Sequence, residues 1–420
     1  MTRSRTRFLW PAAVLALTLA ACEGGAAPAS SSVPSSAAAK PASAAPASAS
    51  ASPNSAPASA AAKPSAAASA SALASAKPAA APSSPAPTPT TLPVVDANTT
   101  KLPLAHIDIP PAKGKTGSFD IFDTDQAAHL LYVADRAGGG VSIFDVSTPT
   151  AKWVKTVETP KNANGVTVAK NVNKVFAGLN EGVVAVIDIN PSSPTVNTVV
   201  ATINTGGKSN ANEEDYDPNT KKLFIENKDD GFLHIIDATT NQIVKKIDGL
   251  TQPGLEQPRY NPVDKMMYMT SGPSNLIYQF DPSTNELVKK IDVVEPCSPQ
   301  GLAINPSTNQ ALLGCGNQKD QFTAIWDFKT SKVIAKYDQV GAGDQAIYSP
   351  KADRYFFAAG NYYRGGQLGI FDGKTGKFIT NVPTARGSHS VGFDETNNIV
   401  YTGDQLPNDA GLWSFPLPNK

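Results

Sequence analysis

Gly301-Leu302-Ala303-Ile304-Asn305-Pro306-Ser307-Thr308-Asn309-Gln310-Ala311-Leu312-Leu313-Gly314 is a pair of short apolar runs joined by a polar turn, and the pattern returns along the chain. In each copy a turn residue, typically Asp, Asn or Ser, precedes an apolar Tyr, Phe or Leu in the second run. The copies are Asp125–Tyr132, Ala169–Phe176 (a degenerate one), Asp217–Phe224, Asn261–Tyr268, Asn305–Leu312, Ser349–Phe356 and Asp394–Tyr401. They follow one another at intervals of about 44 residues. A further apolar run then closes on a fixed position: Ile143-Phe144-Asp145, Val186-Ile187-Asp188, Ile235-Ile236-Asp237, Gln279-Phe280-Asp281, Ile325-Trp326-Asp327, Ile370-Phe371-Asp372 and Ser414-Phe415-Pro416. Repetition at this period, in short β-prone runs with no helix-period segment, predicts a radial all-β architecture.

Within one repeat the strands are expected at Gly301–Ile304, Ala311–Gly314, Thr323–Asp327 and Lys332–Lys336, the last alternating as an edge strand does. Four antiparallel strands in each of seven repeats make a seven-bladed β-propeller. The Asp that closes the third strand can accept N–H bonds from the following turn, so its expected role is structural. The last repeat holds only three strands, Ser390–Phe393, Ile399–Thr402 and Leu412–Phe415. The missing fourth is available in Leu102–Ile109, so the N-terminal strand is expected to close the last blade and remove its free edge.

Leu131-Tyr132-Val133-Ala134, Val175-Phe176-Ala177-Gly178 and Leu223-Phe224-Ile225, each leading to an Ile-Asp or Phe-Asp strand end, resemble the YVTN-type β-propeller repeat proteins. The resemblance covers residues 102–416. It implies the fold; the repeat is a packing unit on which several activities occur, so no single activity follows from it. WD40 is a poorer match, since Trp326-Asp327 is its one Trp-Asp pair, and no Cys-x-x-Cys-His stands in the chain to attach a haem.

The two ends of the chain differ in character. Arg3, Arg5 and Arg7 precede the apolar stretch Ala12–Ala21, which is too short to span a bilayer as a helix. Leu19-Ala20-Ala21-Cys22 resembles the lipobox of bacterial lipoproteins. That implies a signal peptide over 1–21, lipidation of Cys22, and export to the periplasm or the cell surface. Glu23 after the cysteine implies outer-membrane sorting in a Gram-negative cell. Residues 22–98 are then the lipidated Cys and an Ala/Ser/Pro-rich spacer. Its prolines interrupt helix formation and it has no large side chains to bury, so disorder is expected, spanning roughly 50 Å. The propeller occupies 99–420. Of the remaining cysteines, Cys297 and Cys315 bracket one predicted hairpin and suit a disulfide in an oxidising compartment, with two buried thiols as the alternative. The 36 basic and 36 acidic side chains balance, which argues against a nucleic-acid partner. The expected partners are the membrane, through the lipid, and a protein or small-molecule ligand; a monomer is expected.

Counting back from each turn residue to the start of the inner strand reaches Asp120, Asn164, Asn212, Glu256, Gln300, Asp344 and His389. All seven are polar, and equal register in each blade would bring them to one rim of the central channel. Asp120, Glu256 and Asp344, with the amide oxygens, suit a hard cation such as Ca²⁺. In a lactonase-like hydrolase or metal-dependent lyase, Glu256 or Asp344 would be the base and His389 the acid. In a binding or scaffold module the same rim is a ligand site, or is polar because it is wet. The residues leave the enzyme question open. Arg136, Arg259, Arg364 and Arg386 are cations available near such a site, and Tyr362-Tyr363 beside Arg364 reads as a contact surface.

Overall fold

The computed structural model describes residues 100–316, 320–405 and 407–418. The signal segment, Cys22 and nearly all of the spacer lie outside the described residues. Among those described, no helix is long and apolar enough to cross a membrane. The strands form seven four-stranded antiparallel sheets arranged as the blades of a propeller. Blade one is Phe119–Asp125, Leu130–Asp135, Gly140–Asp145 and Lys152–Glu158, and the next five blades repeat this order outward from the channel.

The turns explain why the repeated phrase has its spacing. Asp125, Asp217, Asn305 and Asp394 each accept a backbone N–H from two or three residues ahead, at 2.8–3.0 Å, which fixes the first hairpin of the blade. The aspartates that close the third strands do the same in the turn to the fourth strand. Asp145 accepts from Ser147, Asp188 from Asn190, Asp237 from Thr239, Asp281 from Ser283 and Asp372 from Thr375. These carboxylates are structural.

Packing follows from strand alternation. Leu131 and Val133 face blade seven, in a cluster with Phe119, Tyr401 and Leu412, while Tyr132 and Ala134 face blade two, against Val175, Ala177 and Ile187. A middle strand must be apolar on both faces because a blade is covered on both sides. Its residues therefore form a continuous buried run, whereas the outer strand Lys332–Tyr337 alternates exposed and half-buried positions. Seven buried clusters result, one at each blade interface.

The last blade consists of Gly392–Asp394, Ile399–Asp404, Asp409–Pro416 and, outermost, the N-terminal strand Ala105–Lys113. Ala105, His106, Ile107 and Asp108 pair with Ser414, Trp413, Leu412 and Gly411. The strand starts and ends a few residues later than the Leu102–Ile109 read from sequence. Residues before it serve blade six instead: Thr100 donates its N–H to Asn381 at 2.8 Å, and Leu102 and Leu104 pack on the cluster between blades six and seven. Cys297 and Cys315 are joined by a disulfide across the inner hairpin of blade five, with a Cα separation of 4.5 Å. Closing a loop of 18 residues limits the unfolded chain by about 3 kcal/mol.

Candidate functional site at the channel mouth

Antiparallel order places the starts of the inner strands on one face, together with the loops between the second and third strands. Two charged clusters form there, with Asp344 common to both.

The first is built on Asp120, which is almost fully buried. Its carboxylate meets the Arg136 guanidinium, from the loop after Leu130–Asp135, and His389 Nε2 at 3.3 Å. Arg136 also donates to Asn164 Oδ1 from Nε at 3.1 Å and from Nη2 at 2.7 Å, and Asn164 donates on to Asn180 at 3.0 Å. His389 Nδ1 lies 2.6 Å from the Gly387 carbonyl, so both ring nitrogens face acceptors. Burial opposes the imidazolium, but Asp120, with help from Asp344, outweighs it and pushes the pKa up to about 9. Burial likewise works to raise Asp120, yet Arg136 and His389 hold it below its ordinary value.

The second cluster is Glu213, Glu256 and Asp344, with Lys228 among them. Glu256 Oε1 is 2.7 Å from Lys228 Nζ. Burial, resisted by Lys228 and reinforced by Asp344, raises Glu256 to about 7. Glu213 is pushed well above the carboxylate range by burial and then by the charges of Asp344 and Glu256. Glu226, whose Oε1 accepts the Glu213 N–H at 3.1 Å, is raised too, chiefly by burial. Lys228 is held as ammonium: burial opposes its charge, and Glu256, Asp344 and Glu213 overcome that.

Of the seven residues read from sequence, Asp120, Asn164, Glu256, Asp344 and His389 enter these clusters. Asn212 is buried beside Glu226, and Gln300 is half-buried with its amide oxygen toward Gly316. The trio Asp120, Glu256 and Asp344 does not form one cation site. Asp120 is taken by Arg136 and His389, and Glu213 stands in its place. Glu213 reaches the mouth because the inner strand Ala211–Asp217 carries a register shift between Ala211 and Glu214, which breaks the alternation that would turn neighbouring side chains apart. The one sequence signal for it was three consecutive acids, Glu213-Glu214-Asp215, in a strand otherwise built for burial. Lys228 and Glu226 gave none, since they lie beyond the inner strand.

The four arginines divide. Arg136 is part of the mouth. Arg259 lies inside the channel, donating to Gln257 Oε1 at 3.0 Å and standing 4.0 Å from Glu213. Arg364 stacks over Tyr363, with its guanidinium 5.2 Å from the ring centre, and Arg386 is exposed. The expected aromatic contact surface shrinks to Tyr363, because Tyr362 is buried and its hydroxyl bonds to the Asp338 carbonyl.

Two glutamines narrow the channel below the mouth. Gln257 donates to the Asp344 carbonyl at 2.7 Å, and Gln345 bonds to both the N–H and the carbonyl of Phe122. Gln345 also borders a cavity of about 390 Å³, lined by Asp123, Asp215, Arg259 and Tyr348 among others. Asp123 and Asp215 accept the N–H of Val168 and Tyr260, at 2.8 and 2.6 Å, and so tie each blade to the next.

No protein-family model and no curated protein matches this chain. Among solved structures it is similar to a chain in "Crystal Structure of Mitotic Checkpoint Complex". That likeness has a TM-score of 0.59 at 14% identity and covers 79% of this chain and 98% of that one. At such identity it carries the fold alone.

Proposed function

We propose that the protein is a β-propeller binding module, held at a membrane by lipid on Cys22, with the polar channel mouth as its ligand site. The observation that carries this reading is the buried charge at the mouth. Seven apolar interfaces hold the blades together, so packing does not require Glu213, Glu226, Lys228 and Glu256 to be gathered in one place. Desolvating such groups costs free energy, and a concave site lined by convergent, perturbed ionisable groups is the usual arrangement for binding a ligand. Attachment to the membrane rests on Leu19–Cys22 and on the spacer composition.

One observation favours the second reading, a lactonase-like hydrolase or metal-dependent lyase. Glu256 at about 7 and His389 at about 9 each stand in a cluster with Asp344, so between those values a carboxylate and an imidazolium coexist there, as a base and an acid would. Screening the full chain against polar small molecules, lactones included, separates the two. A binding module is stabilised by a ligand through mass action, without converting it, and loses that effect in Glu256→Gln. Turnover abolished by the same change establishes the enzyme. Neither stabilisation nor turnover with any compound removes the mouth as a ligand site.

A further inference from the structure

The geometry points to a divalent-cation site of Ca²⁺ type at Glu213, Glu256 and Asp344, with Lys228 as its built-in competitor. The inference rests on the mouth being the ligand site and names what enters it.

One carboxylate oxygen from each of the three residues lies within 4.8 Å of the other two. Calcium takes oxygen ligands at roughly 2.3–2.6 Å, so three carboxylate oxygens no more than 4.8 Å apart can share one ion. An independent observation is the state of the oxygens. Glu213 and Glu256 are 1% and 4% exposed, and Oε2 of each lacks a hydrogen-bond partner among the described residues, as does Asp344 Oδ1. Orphaned buried acceptors are costly, and a single cation would satisfy all three.

Lys228 supplies one positive charge to three carboxyl groups and touches Glu256 through Oε1, which leaves Oε2 open. Arg259 approaches Glu213 no nearer than 4.0 Å. An incoming cation would compete with the Lys228 ammonium for Glu256. The neighbouring set of Asp120, Asp344 and His389 does not suit a metal. Both of its imidazole nitrogens face acceptors, and Asp120 is held by Arg136.

The test is calorimetric titration of the chelator-stripped full chain, purified in detergent, with Ca²⁺, Mg²⁺ and Zn²⁺. Ca²⁺ should bind at one ion per chain and raise the melting temperature. Glu213→Gln should weaken Ca²⁺ at least 100-fold while leaving the circular dichroism of the ion-free protein unchanged, because Gln keeps the shape of the side chain and removes its charge. If Glu213→Gln does not fold, Glu213→Asp replaces it, with the same weakening expected. Asp120→Asn should keep Ca²⁺ affinity within a few fold, and Lys228→Met should bind Ca²⁺ at least as tightly as wild type. The inference is overturned by no heat from any ion in wild type and Lys228→Met, by binding that Glu213→Gln leaves intact, or by binding of Zn²⁺ alone. A small molecule that stabilises the ion-free protein when no ion binds would remove the cation while keeping the mouth as a ligand site.

Discussion

His389 faces Asp120 through Nε2 and the Gly387 carbonyl through Nδ1, with Asp344 close by, so its proton belongs to the folded state. A folded pKa raised from 6.5 to about 9 means that its contribution is fully present below 6.5 and lost as pH rises through 9. At full linkage that is about 3 kcal/mol. Glu256 acts in the same direction at lower pH. Raised from 4.5 to about 7, it favours the fold when protonated and ceases to do so as pH rises through 7. Glu213, Glu214 and Glu226, all raised mainly by burial, add to this loss as pH rises, and Asp123, raised to about 6, adds to it at lower pH. Asp120 has the opposite sign, since its depressed pKa makes acid remove its contribution. The melting temperature of the ion-free protein should therefore fall between pH 6 and 9.5. His389→Gln should flatten the part of that fall above pH 7. A wild-type melting temperature that is constant across the range would show that the imidazolium contributes nothing.

The N-terminal segment is the element on which closure depends. Ile107, Ile109 and Ala112 are buried in the cluster shared by blades seven and one, and His106 meets the Trp413 ring edge-on at 5.1 Å. Removing residues 1–113 takes away this packing, bares the edge of Asp409–Pro416 and releases Asn381 from Thr100. That variant should melt well below wild type and aggregate, whereas removal of residues 1–98 should leave the melting temperature within about 2 °C of wild type. Equal melting temperatures for the two truncations, by calorimetry, would refute a closing role. At this scale the hairpins were legible because their turn residues do local work: Asp217 or Asn305 needs only its own next few backbone groups. Register shifts in the inner strands were not legible. They appear in blades one, three, four and five, and no residue type marks them.

At the scale of the whole molecule, the proposed anchor is the lipid on Cys22. Cys22→Ser should move the protein from the membrane pellet to the soluble fraction, with its melting temperature unchanged. Retention in the pellet would refute anchoring through that cysteine.

The sequence by itself determined the number of blades, the strands within each and the turns between them. Those depend on alternation and short-range hydrogen bonds, which repeat wherever the same few residues repeat. It also pointed to the rim, because equal positions in equal repeats point the same way. Only the tertiary structure decided how the charges pair. Arg136 reaches Asp120 and Asn164, and Lys228 reaches Glu256 from a loop of another blade. A bulged strand brings Glu213 in where Asp120 had been expected. Electrostatic energies turn on separations of a few ångströms and on burial, and neither is written in the spacing of residues along a chain.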